Sequence, residues 1–280
     1  MTNTQMNVSG GRSDNLFEMK LDNVKNLSHI LRALNFKEMA TCFVSENGLK
    51  IVVEDAKCVQ VSAFIGADLF QEFHVADEQV AFKIDLTVLL DCLSIFDNCS
   101  VVPGATAALK MFCTHEGAPL KLLLEEGGVI TDCSLKTLEA DDVLDFDFPV
   151  SSVANKVILQ SGDFKDIFNE LDNTSECVEL LLSPDAPFFQ ISTAGVAGEC
   201  QVHILHTSEM VEAFQCTKEI RSRYRYAQIR PAMKPLAVSS KVSIRTDEDG
   251  LLCLQFMIQT ETKQLCYVEY FCTPVVDEED

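Results

Sequence analysis

No apolar run in this chain approaches the ~20 residues that a bilayer-spanning helix needs, and the N-terminus carries no apolar signal core. Both absences point to a soluble, intracellular protein. The twelve cysteines include no C-x-x-C pair and are scattered through strand-like and helix-like segments. They read as buried reduced thiols rather than a disulfide framework. Positive charge is also scarce: 22 Lys and Arg stand against 43 Asp and Glu, a net charge of −21. Such a chain repels nucleic acid and anionic membranes on average, so any nucleic-acid role must rest on local segregation of charge. Apolar residues, by contrast, make up 47% of the chain, enough to build a core and too many for disorder throughout.

The stretch Phe17–Ile65 sets a pattern. It reads as a strand (Phe17–Leu21), a helix (Asn23–Asn35) and three strands (Met39–Ser45, Leu49–Asp55, Val59–Ile65), with a tight turn at Asn47-Gly48. Helical spacing puts Val24, Leu27, Ile30, Leu31 and Leu34 on one side. Lys25, His29 and Arg32 fall almost opposite, with no acid among them. A helix of this kind can sit on a sheet and offer cations to something else.

The same unit recurs. The second has a strand at Gln79–Ile84, a helix at Leu86–Phe96 whose polar side lacks a base, a loop at Asn98–Gly104 and strands at Ala107–Cys113, Leu120–Glu125 and Val129–Leu135. The third has a strand at Ala154–Gln160, a helix at Gly162–Leu171 and strands at Glu176–Leu182, Phe188–Thr193 and Cys200–His206. The fourth has a strand at Ser222–Gln228, a short helical turn at Pro231–Val238 and strands at Lys241–Thr246, Leu251–Met257 and Gln264–Phe271. Pro231 suits a first helical position, and Pro235 should kink or end that turn. Gly66–Ala76 and Thr207–Thr217 read as connectors. Equivalent turns at Gly48, Gly117, Asp185 and Gly250 are spaced by 69, 68 and 65 residues, a structural repeat.

Two units would make one domain, with two helices on one face of two antiparallel sheets. The expected division is a loose N-terminus (1–15), an N-terminal domain (16–136), a linker (137–152), a C-terminal domain (153–275) and an acidic tail (276–280). The linker is acidic yet holds Leu138, Val143, Leu144, Phe146 and Phe148. It can be solvated, or lie over a groove with its aromatics tucked beneath, and the two are compatible. Tandem sheets should leave unpaired edge strands at both ends of the chain, ready for head-to-tail pairing into a ring.

Phe17–Phe73, LTVLLDCLSIF at Leu86–Phe96, LEEGGVITDC at Leu124–Cys133 and SSKVSIRTD at Ser239–Asp247 together resemble the Rad-one subunits of the nine-one-one checkpoint clamp. That clamp is similar to the replicative sliding clamp, proliferating cell nuclear antigen. Ser161-Gly162-Asp163-Phe164, and Arg225-Tyr226 followed by Pro235-Leu236, resemble the broader clamp family. The likeness runs from about Phe17 to Pro274.

The resemblance implies an α+β DNA-clamp fold: two tandem domains, each of two strand–helix–three-strand units, with helices on the concave face and antiparallel sheets outside. It implies a nuclear, heterotrimeric ring of three unlike subunits around double-stranded DNA, opened by a checkpoint clamp loader at damage or stalled forks. Such a ring supports checkpoint kinase activation and serves as a platform for repair enzymes and checkpoint adaptors. The implied client groove lies between linker residues Val143, Leu144, Phe146 and Phe148 and the last strand at Phe271 and Pro274. No cofactor, metal or membrane is implied.

The charge pattern agrees in part. Lys218–Arg245 holds eight bases and a single acid, Glu219. The expected DNA-facing set is Lys25, His29, Arg32, Lys165, Arg225, Arg230 and Lys234, since phosphate contacts need cations and no sequence code. Alternating Arg221, Arg223 and Arg225 can equally be the solvated face of a strand. Asp166 and Glu170 beside Lys165 make the lining weakly positive.

A metal-dependent 3′–5′ DNA exonuclease of clamp-like fold is the alternative, because such activity has been attributed to the family. Catalysis of that kind needs several acids converging on metal ions. Glu125-Glu126 and Asp141-Asp142 sit in a turn and a linker, so no catalytic set is expected. His203 and His206 are three apart on a strand and should point to opposite faces. Gly127-Gly128 is a hairpin turn, with no helix after it to make a phosphate cradle.

Overall fold

The computed structural model describes residues 14–96, 106–146, 148–196, 198–261 and 263–276. The polar N-terminus, the loop expected at Asn98–Gly104 and the acidic tail fall wholly or mostly outside them.

The first unit forms as its pattern dictates. Strand β1 (Phe17–Leu21) alternates, burying Phe17, Met19 and Leu21. Its outward Glu18 and Lys20 pair with Lys110 at 2.7 Å and Glu72 at 2.6 Å. Helix α1 (Val24–Leu34) starts at Asn23, whose Oδ1 accepts the Lys25 backbone N–H at 2.9 Å. Its apolar side is sealed, with Leu27, Ile30, Leu31 and Leu34 fully buried. Strands β2 (Met39–Ser45), β3 (Gly48–Asp55) and β4 (Val59–Gly66) follow. Gly48 has φ +143°, and a Cβ there would lie 2.2 Å from the Ile65 carbonyl oxygen. Only glycine lets the β2–β3 hairpin close against β4.

The connector after β4 is not irregular. It makes a 3-10 turn and then β5 (Glu72–Val75), which pairs with β1. The second unit comprises β6 (Gln79–Asp85), α2 (Leu86–Leu93), β7 (Ala108–Cys113), β8 (Leu120–Glu126) and β9 (Val129–Leu135). Helix α2 is capped by Asp85 and stops short of Phe96. The third unit comprises β10 (Asn155–Gln160), α3 (Ser161–Glu170), β11 (Cys177–Leu182), β12 (Phe189–Gly195) and β13 (Gly198–Ile204). Its connector also yields a strand, β14 (Val211–Cys216), paired with β10. The fourth unit comprises β15 (Ile220–Arg225), α4 (Tyr226–Ile229), a 3-10 turn with Pro231, α5 (Met233–Val238), β16 (Lys241–Thr246), β17 (Leu252–Gln259) and β18 (Leu265–Cys272). Pro235 lies within the first turn of α5, where the missing N–H costs nothing, so the helix runs on.

The sheets correct one expectation. Among the described residues there are three, not four, in the orders β5-β1-β7-β8-β9, β14-β10-β16-β17-β18-β4-β3-β2-β6 and β13-β12-β11-β15. Strand β18 pairs with β4 antiparallel from Tyr267–Phe64 to Cys272–Val59. The first and last units therefore meet in the middle of one nine-stranded sheet. Unpaired long strands are not at the ends of the chain; β6, β9 and β13, from the two middle units, supply them.

The helices stand in one row, α2–α1–α5–α3, each touching the next. Helix α1 rests on β4 and β18, α5 on β17, and α3 on β10 and β16. One continuous apolar cluster fills the space between helices and sheets.

The described cysteines are free thiols. Burial pushes those of Cys42, Cys253 and Cys272 up to about 12. A thiol kept neutral by the fold, against an ordinary value of 9.0, stabilises it fully below that pH and loses the contribution as pH rises towards 12. Each takes away about 1.4 kcal/mol per pH unit in that window. Urea-unfolding midpoints should thus be flat between about pH 7.5 and 8.5 and fall steadily from about pH 9 to 11, and Cys253→Ala should reduce the slope.

Candidate nucleic-acid interface and adjoining groove

Three of the expected DNA-facing residues come together on α1. Lys25, His29 and Arg32 are all exposed on the side away from the core. With Asn26 and Ser28 they line a hollow of about 370 Å³, whose only acid among the described residues is Glu261. Glu261 reaches in from the β17–β18 hairpin, accepting from Asn23 Nδ2 at 2.7 Å, while its own N–H donates to Asn26 Oδ1 at 3.2 Å. Arg32 Nη2 donates to Ser94 Oγ at 2.8 Å, tying α1 to the end of α2.

Lys234 on α5 is exposed and donates to the Asn35 carbonyl, just past α1. Arg230 is exposed in the preceding 3-10 turn. Lys165 on α3 is half-buried among exposed Asp163, Asp166 and Glu170. The row is thus positive at its centre, mixed at α3 and without a base on α2.

Arg225 does not join them. Along β15, Ile220 and Tyr224 are buried while Arg221, Arg223 and Arg225 are exposed. Period-2 alternation sends the three arginines to the face opposite Tyr224, and Tyr224 is sealed in the core. The basic block is also partly neutralised by acids distant in sequence. Arg221 pairs with Glu179 at 2.5 Å, Lys218 with Glu248 at 3.5 Å and Lys241 with Glu212 at 2.6 Å.

The linker is held to the outer side of the central sheet. Leu144 donates its N–H to Glu54 Oε1 at 2.6 Å, and buried Gln60 donates to the Leu144 carbonyl at 2.5 Å and to Glu54 at 2.8 Å. Leu138 makes an isolated bridge to Lys83, whose amine also meets Asp141 at 2.5 Å. Phe146 stacks on Phe271 at 5.6 Å, and Phe148 meets the same ring edge-on at 5.9 Å. Of the six residues expected to line a groove, the three aromatic ones come together. Phe146 and Phe148, both half-buried, gather on Phe271, and Pro274 lies past the end of β18 against Gly250. Val143 turns to a separate hollow of about 600 Å³ floored by Phe36, Met39, Thr41 and Val52.

Those floor residues lie outside the expected set. Their one signal is the unbroken run Ile51-Val52-Val53 on β3, where strict alternation would put a polar residue at 52. Glu54 and Gln60, which clamp the linker, carry no local signal, because their partner is about 90 residues away in sequence.

Among the described residues no group of three or more His, Cys, Asp or Glu could hold a metal ion. His206 packs on Phe188 at 4.3 Å and near Phe214 at 6.1 Å, while His203 stands on β13 opposite Gln190. No helix of the described residues is long and apolar enough to cross a membrane.

Similarity to known proteins adds the family. The family described as Repair protein Rad1/Rec1/Rad17 matches residues 16–258. Over 259 residues the chain is 52% identical to the human Cell cycle checkpoint protein RAD1 and 51% identical to the mouse protein of that name, covering 92% of this chain and 91% of each relative. The Drosophila melanogaster DNA repair protein Rad1 is 31% identical over 266 residues, with 93% of this chain and 94% of that one covered. A match of this length, on sheets and a helix row of the clamp type, means that the chain belongs to the Rad1 family of checkpoint and repair proteins.

Proposed function

We propose that this chain is one of three unlike subunits of a ring that encircles double-stranded DNA. A checkpoint clamp loader opens the ring and closes it at damaged DNA or stalled forks in the nucleus. The loaded ring then supports checkpoint kinase activation and carries repair enzymes and adaptors. The two clamp domains are 16–136 and 153–275, joined by the linker 137–152.

The observation that carries this reading is the uninterrupted row α2–α1–α5–α3 with sheets behind it. Lys25, His29 and Arg32 are exposed from its centre, in a chain of net charge −21. Phosphates threaded past that row meet cations, whereas the chain as a whole, at net charge −21, repels them on average. Lys165, Arg230 and Lys234 extend the contact, and Arg225 stays outside it. Because α2 offers no base and α3 a mixed face, a lone subunit holds duplex DNA poorly and retention of duplex comes from closure of the ring.

Strands β9 and β13 support the assembly. Each is a seven-residue strand at the end of its sheet. Val129 and Ile130 on β9 are 59% and 57% exposed, and Val196 beside β13 is 91% exposed. Open edges with apolar residues ask for a partner strand. Asp132 on β9 and Glu199 on β13 would bring two acids into one interface if copies of this chain joined head to tail. That favours unlike partners.

Sedimentation of the purified chain should give a monomer that forms a three-subunit species only when both partner subunits are added. A homotrimer of this chain would overturn the reading. In the assembled ring, Lys25→Ala and Arg32→Ala should each flatten the salt dependence of duplex binding by about 0.9 in log–log slope. The same preparation, incubated with magnesium or manganese and labelled DNA, should leave the DNA intact. Digestion that a single carboxylate substitution abolishes would establish the nuclease instead.

A further inference from the structure

A third hollow, of about 540 Å³, lies where the end of α1, the end of α3 and the α4–α5 segment meet. Aromatic and apolar side chains line it: Phe36, Phe168, Tyr226 and Met233. Phe168 is buried and its ring stacks on Tyr226 at 6.5 Å with 29° between planes. Tyr226, Phe36 and Met233 are only half-buried, so part of this surface faces the open hollow. Its rim holds Arg230 and Lys234, both exposed, together with the amides of Asn169 and Asn173. Among the described residues none that lines it is acidic, and Arg230 has no carboxylate partner.

This combination differs from the α1 hollow, which is polar throughout. Cations alone serve a phosphate backbone. Flat rings beside cations serve a base together with its phosphate, because every base has a π-face to stack and is charged only through its backbone. Side-chain amides add donors and acceptors of the kind that pair with base edges. Bases inside a duplex have both faces covered, so only an unpaired base can enter. The size falls within the range of roughly 300–1,000 Å³ usual for small-ligand clefts.

We infer that the hollow between Phe168, Tyr226, Arg230 and Lys234 takes one unpaired nucleotide of a single-stranded DNA segment, its base against Tyr226 and its phosphate on Arg230 and Lys234. The inference rests on the proposal that the helix row faces DNA, and adds to it a means of telling a gap or strand end from continuous duplex. The occupant is a strand and not a free nucleotide, since exposed cations continue from Lys234 towards α1 and can follow further phosphates.

The test uses the full chain and an eight-nucleotide oligothymidylate carrying one central 2-aminopurine, whose emission falls when it stacks. Binding should quench it saturably. Tyr226→Leu should weaken binding roughly tenfold and remove the quench, while Tyr226→Phe keeps both. Arg230→Gln should weaken binding and lower the salt slope by about 0.7. An oligomer with an abasic site at the central position should bind roughly tenfold less tightly. Thermal melts followed by circular dichroism ensure that each variant compared is folded, and Arg230→Gln, at an exposed position, remains informative if Tyr226→Leu is not. Equal affinity for abasic and intact oligomers, or a quench unchanged in folded Tyr226→Leu, would overturn the inference. So would displacement of the oligomer by thymidine monophosphate at the same nucleotide concentration. Retention of duplex by the ring, tested separately with Lys25→Ala and Arg32→Ala, reports on the DNA-facing proposal whatever the hollow does.

Discussion

The antiparallel pairing of β18 with β4 is the constraint on which the rest depends. Six residue pairs, from Tyr267–Phe64 to Cys272–Val59, weld the last strand of the chain to the first unit. Without them the two halves would carry separate sheets, and α1 and α5 would have no reason to lie side by side. With them, α1 rests across the seam on both β4 and β18. Side-chain contacts across the seam then reinforce it: Lys234 reaches the Asn35 carbonyl, Glu261 reaches Asn23, and the Gln264 amide donates to the Asp68 carbonyl. The helix row is the product of a sheet that does not stop at the boundary between halves.

Much of this is legible in the chain itself. Helical spacing in α1 identifies both its buried side and its cationic side, because a long amphipathic helix leaves little freedom of phase. Hairpin turns at Gly48 and Gly250 mark the repeat, since backbone at positive φ restricts the residue. The connectors at Glu72–Val75 and Val211–Cys216 are harder. Each is short and pairs with a strand over 50 residues away, so its strand character comes from the partner and not from local preference. The fusion of two sheets into one is likewise a long-range pairing that no local window contains.

Charge behaves in a similar way. The basic block at Lys218–Arg245 looks like one feature in sequence and is divided in space. Strand alternation takes Arg221, Arg223 and Arg225 to the sheet face, where Glu179 meets the first of them, while Arg230 and Lys234 stay with the helices. The expectation that the linker covers its own aromatics comes nearer. Phe146 and Phe148 do tuck against Phe271, while Val143 faces a neighbouring hollow.

The linker itself has a curious mechanical status. The covalent path from one half to the other runs through it, yet the sheet already spans that boundary by main-chain hydrogen bonds, and Glu54 and Gln60 fasten the strap near its middle at Leu144. Peptide continuity there is thus redundant for cohesion. A cut at the exposed Glu139, Asp141 or Asp142 would leave two fragments that stay associated, and the pair could be made as separate polypeptides that complement each other into one folded body.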